Sequence, residues 1–172
     1  MPLRNVMNNS FSGVRGSCLA VLTSAFLFLA ACKDPCKSVE CKNGGSCEEG
    51  HCDCAAGWGG EACALDLAGH FSGPFAVDED CSISGVSAYE AETHGHGNGT
   101  GRLDIHNFGD LGLEVIARLE DDRITIERQE KDGMTFEGSG SLDTANRSFQ
   151  LHYTVHTGSV TQTCTAGFSM KP

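Results

Sequence analysis

From Leu65 to Pro172 the chain alternates apolar and polar residues in short runs. Leu103-Asp104-Ile105-His106, Ile124-Thr125-Ile126-Glu127 and Phe149-Gln150-Leu151-His152-Tyr153-Thr154-Val155-His156 each place apolar side chains on one face and polar ones on the other. That period of two is the mark of a half-buried strand. Turn formers separate the runs: Glu120-Asp121-Asp122, Lys131-Asp132-Gly133, Asp143-Thr144-Ala145-Asn146 and the glycine-rich stretch from His94 to Gly101. The pattern predicts a mostly β domain over 65–172, with seven or eight antiparallel strands near 71–77, 81–90, 101–107, 112–119, 123–129, 134–142, 148–156 and 159–169. Hairpins with one apolar face must close it, as a small barrel or a two-layer sandwich. Consecutive strands joined by short turns favour the barrel, with Leu103, Ile105, Ile124, Ile126, Phe149, Leu151, Tyr153 and Val155 pointing inward.

The N-terminal pattern is different. Cys18 to Ala31 is an uninterrupted run of 14 apolar or small residues, preceded by Arg4 and Arg15 and by no acidic residue. As a helix it would cover roughly 21 Å at ~1.5 Å per residue, short of a ~30 Å hydrocarbon core. A basic start, an apolar middle and a small-residue end form an export signal, here over 1–31, with Met7 as an alternative start. Its end, Leu29-Ala30-Ala31-Cys32, resembles the bacterial lipobox. That resemblance implies cleavage before Cys32 and a diacylglycerol on its thiol, so that 32–35 becomes a lipidated N-terminus. Two or three acyl chains, at ~0.8 kcal/mol per buried methylene, would make the attachment effectively permanent. In lipobox proteins of many diderm bacteria an Asp after the cysteine retains the protein in the inner membrane. Lys33 stands there instead, which implies the outer membrane, facing either the periplasm or the exterior. An ordinary secretory signal would leave Cys32 as an unpaired thiol.

Six cysteines follow within residues 36–63: Cys36, Cys41, Cys47, Cys52, Cys54 and Cys63. So short a segment cannot bury a sufficient core and needs cross-links. Spacing alone leaves all fifteen pairings open. The Asn43-Gly44-Gly45 turn, the Cys52-x-Cys54 pair and Cys54-x2-Gly57-Trp58-x-Gly60-x2-Cys63 resemble the EGF-like module, in a variant with the short tenascin-type spacing. The resemblance implies the pairs Cys36–Cys47, Cys41–Cys52 and Cys54–Cys63. The calcium-binding form of that module needs acids before its first cysteine and an Asp or Asn between the third and fourth. Asp34-Pro35 and Glu48-Glu49-Gly50-His51 do not supply those oxygens. The β domain resembles, in outline only, the lipocalin-like domains attached to bacterial lipoproteins.

Composition narrows the function. The ten cysteines suit an oxidising compartment. With Cys18 in the signal, Cys32 at the lipidation site and six in the module, Cys81 and Cys164 remain, and are expected to bridge the second strand to the last. The formal charge of −11 becomes −13 once the two arginines of the signal are removed, since 10 basic residues then face 23 acidic ones. Such a chain is a poor ligand for a phosphate backbone, which needs clustered Lys and Arg, so no nucleic acid partner is expected.

His94-Gly95-His96 is a candidate Zn²⁺ or Cu²⁺ pair, although a polar loop explains the same residues. His152 and His156, about 13 Å apart along a strand, cannot share an ion unaided. No G-x-S-x-G, phosphate-cradling loop or H-E-x-x-H motif occurs. Asp78-Glu79-Asp80 and Glu120-Asp121-Asp122 fall in expected turns, where solvated charge is the default. No catalytic residue and no cofactor are therefore assigned. The expectation is a non-enzymatic, membrane-anchored envelope protein that meets a protein or glycan partner, as an adhesion or interaction module. The alternative is a lipocalin-like carrier of a small apolar ligand, which requires an open apolar pocket of about 300 Å³ or more.

Overall fold

The computed structural model describes residues 34–172. The expected signal (1–31) and the lipidation site Cys32 lie outside the described residues. The first part described is rich in cysteine and carries little regular structure. Strands β1 (Ser46–Glu48) and β2 (His51–Asp53) form a hairpin with Cys47 opposite Cys52, and β3 (Trp58–Gly59) pairs with β4 (Leu65–Asp66). Disulfides join Cys36 to Cys47, Cys41 to Cys52 and Cys54 to Cys63. These three bridges do the work that a core cannot do at this size.

A short helix, α1 (Leu67–His70), leads into the β domain. The eight strands that follow are β5 (Gly73–Cys81), β6 (Gly85–His96), β7 (Arg102–Phe108), β8 (Leu113–Glu120), β9 (Arg123–Lys131), β10 (Met134–Asp143), β11 (Ser148–Thr157) and β12 (Val160–Met170). Each pairs antiparallel with the next, and β12 returns to β5, closing a barrel with no free edge. The sandwich is thereby excluded. Among the described residues no helix is long and apolar enough to cross a membrane.

One boundary differs from the sequence expectation. Strands expected near 71–77 and 81–90 are in fact 73–81 and 85–96, because the chain turns at 82–84 and Gly85 takes a φ of +78°. Cys81 therefore ends the first barrel strand rather than opening the second. It sits directly opposite Cys164 on β12, at a Cα separation of 4.1 Å, and is bonded to it. The bridge joins the first strand to the last and fastens the seam where the barrel closes.

The lumen is filled by side chains. Phe149 and Phe168 stack at 4.4 Å. Phe75 packs against both, Phe71 meets Phe149 from one end, and Phe108 links Phe168 to Phe136 and Tyr153 at the other. The inward aliphatic residues Leu103, Ile105, Ile124 and Leu151 are fully buried. Gly138 and Gly140 lie on β10 where a Cβ would strike Tyr153 and the Gln150 carbonyl of β11. Glycine there lets β10 press closely on its neighbour as the sheet curls.

The two ends of the barrel differ. At one, α1 inserts Leu67 and Ala68, and Phe71 follows, all fully buried. The cysteine-rich segment seats against the same end: the Gly57 amide donates to the Leu119 carbonyl at 3.2 Å, and the Leu67 amide donates to the Gly57 carbonyl at 3.0 Å. Gly57 has a φ of +84° and lies so close to the backbone of Gly99 and Gly101 that no side chain fits. Asp66 ties the junction, accepting from the Gly69 amide at the head of α1 and from the Asn98 amide of a barrel turn. The other end, formed by the turns at 82–84, 109–112, 132–133 and 158–159, has no such plug among the described residues. It is the mouth.

Candidate functional site

The mouth holds a pocket of about 280 Å³. Its walls come from the turns and strand ends: Ile83, Leu111, Met134, Phe136, Val155 and Val160 supply apolar surface, and Glu79 and Tyr153 lie at its base. Glu79 is the informative residue. It lies on β5, in phase with Phe75, Val77 and Cys81, so its carboxyl points into the barrel and is only 6% exposed. The sequence placed Asp78-Glu79-Asp80 in a solvated turn. The structure corrects this: the three are strand residues, with Asp78 and Asp80 facing out and Glu79 facing in.

Two tyrosines meet that carboxylate from different strands. Tyr89, on β6, donates to Glu79 Oε1 at 3.2 Å, and Tyr153, on β11, donates to the same oxygen. The Gly109 amide, at the turn between β7 and β8, donates to the Tyr89 hydroxyl at 3.0 Å and fixes its orientation. Burial, together with the adjacent Glu79 charge, pushes Tyr89 well above the ordinary tyrosine range; the Gly109 bond opposes this only in part. Burial pushes Tyr153 up as well, reinforced by its hydrogen bond to Glu79 and that carboxylate's charge. Both hydroxyls therefore remain protonated donors. No Lys, Arg or His among the described residues pairs with Glu79. A buried carboxylate is usually charge-paired or bound to metal; among the described residues this one has two hydroxyl donors only.

A larger depression, of about 570 Å³, lies on the outer wall across β10, β11, β12 and β5. Its lining is strand surface with solvent-facing groups such as Ser139, His152, Thr163 and Thr165. It converges on no buried charge, so the mouth is the better candidate.

The sequence candidates for metal lie elsewhere. His94 and His96 are exposed on β6 and engage separate partners. His94 stands 3.7 Å from Glu92 and edge-on to the His106 ring. His96 Nε2 is 2.8 Å from Asp104, a carboxylate already held by Arg102 Nε at 2.8 Å. A guanidinium at that position opposes a second cation. His152 and His156 face outward, to the hydroxyls of Thr165 and Thr161. Among the described residues no three His, Cys, Asp or Glu side chains converge closely enough to hold a metal ion.

Neither a family model nor a curated protein matches this chain. Among solved structures, a redesigned β-barrel is similar to it with a TM-score of 0.43 and 13% identity, over 63% of this chain and 98% of that one.

Proposed function

We propose that the protein is a lipid-anchored, non-enzymatic binding protein of the bacterial envelope, attached to the outer membrane through Cys32. On this reading the segment 36–63 is an EGF-like stalk, and the barrel is presented to a protein partner at its mouth. One observation carries the reading. Among the described residues, the exposed large apolar side chains are Ile83, Val86, Leu111 and Val160, and all four lie at or beside the turns of the mouth. The cysteine-rich segment occupies the opposite end. Clustered exposed apolar surface marks a contact site more often than chance placement.

A carrier of apolar ligands fits less well. Aromatic rings occupy the lumen, and the pocket that remains, about 280 Å³, has a carboxylate at its base. Such a volume falls below the ~300 Å³ at which sites for drug-sized apolar ligands begin, and a carboxylate at the base disfavours a wholly apolar ligand.

The anchor is tested by replacing Cys32 with Ser in the producing cell and fractionating the envelope. Release of the variant into the soluble fraction, against a membrane-bound parent, supports the reading. Equal membrane retention of the two removes it.

A further inference from the structure

We propose that the mouth of the barrel is a binding site for a small organic cation: a protonated amine carried on an apolar or aromatic body. This goes beyond the envelope role and depends neither on the anchor nor on a protein partner. Three features of the site point to it.

The first is charge. Glu79 is about nine-tenths buried and forms no ion pair among the described residues. Both tyrosine hydroxyls donate to Oε1. Oε2 has no donor among the described residues, yet no fully buried side-chain oxygen or nitrogen in them lacks a partner. Oε2 is thus the part of the carboxylate still open, and it opens onto the pocket that Glu79 helps to line. A carboxylate taken out of water and left without a counter-charge favours a cation strongly.

The second is the wall. Leu111, Met134, Phe136 and Val160 give the pocket an apolar lining, and Phe136 and Tyr153 make part of it aromatic. Such walls match an organic ammonium better than a hydrated metal ion. Calcium would need six to eight oxygens, and Glu79 is the one carboxylate in the lining.

The third is preorganisation. The hydroxyls of Tyr89 and Tyr153 hold the carboxylate, and the Gly109 amide holds Tyr89. Little side-chain freedom remains to be lost on binding. A pocket of about 280 Å³ takes a ligand the size of a substituted benzylamine rather than a fatty acid.

The test uses the full chain and three probes of one shape and different charge: benzylammonium, benzyl alcohol and benzoate, titrated by calorimetry. Benzylammonium should bind at least tenfold more tightly than benzyl alcohol, and benzoate should not bind. Glu79→Gln, which keeps an oxygen for the tyrosines, should abolish the preference for the cation. Leu111→Lys, an exposed change at the rim, should weaken benzylammonium at least tenfold while leaving the thermal midpoint unchanged. It keeps the test decisive should Glu79→Gln fail to fold. Equal binding of the cation and the alcohol, no binding of the cation, or unchanged cation affinity in folded Glu79→Gln or in Leu111→Lys would each overturn the proposal.

Discussion

Arg102 grips Asp104 through Nε at 2.8 Å and Nη2 at 3.2 Å, while His96 closes from the next strand at 2.8 Å. Burial alone would raise the carboxyl of Asp104, but these bonds and charges outweigh it and hold Asp104 below the usual carboxylate range. An acid whose folded value is depressed adds stability above its unfolded value, about 3.9, and loses it as pH falls through the folded value. Asp104→Asn should therefore cost about 1–3 kcal/mol at neutral pH. The deficit should shrink once the parent protein is itself protonated in acid. Urea denaturation of both proteins at neutral pH and in strong acid checks this, and an undiminished deficit in acid would contradict it. The phase of alternation also made most buried side chains legible at this scale. It would have found Glu79 too, since Phe75, Val77, Glu79 and Cys81 keep strict period two. Local composition misled instead: three acids in a row suggest a turn, yet only the middle one faces inward.

Strands were the most readable elements, because alternation and turn residues agree from Arg102 onward. The boundary between β5 and β6 was not readable in the same way. The turn at 82–84 contains Ile83, an exposed apolar residue that imitates strand pattern. Helix α1 has only four residues and no periodicity to detect; it exists because Asp66 caps it and the barrel end needs a plug. Placing Cys81 on the first strand changes what its bridge does. It now fixes the seam between β5 and β12, across a sequence separation of 83. In the chain-entropy model a loop of that length stabilises by about 4–5 kcal/mol, more than the short loops of the cysteine-rich segment, at roughly 3 kcal/mol. The double replacement of Cys81 and Cys164 by Ser should therefore lower stability further than the double replacement of Cys36 and Cys47. Urea unfolding under oxidising conditions gives the comparison, and the reverse ranking would contradict the seam account.

At the scale of the whole molecule the protein has two unlike ends. The cysteine-rich segment and α1 seal one; the other is open, apolar at its rim and acidic at its base. The sequence could expose the cysteine framework and the strands, because both are local patterns. It could not expose the mouth, whose parts come from β5, β6 and β11 and from turns far apart in the chain, and meet only when the barrel closes. The role proposed above makes this mouth the working face of the protein. The direct measurement is site-specific photo-crosslinking in intact cells, with the crosslinker placed at Leu111 on the mouth or at Ala145 in the exposed turn at the opposite end. A discrete crosslinked species is expected from Leu111, absent from Ala145 and lost when Val160 is also changed to Asp. Equal crosslinking from both positions, or from Ala145 alone, would contradict it.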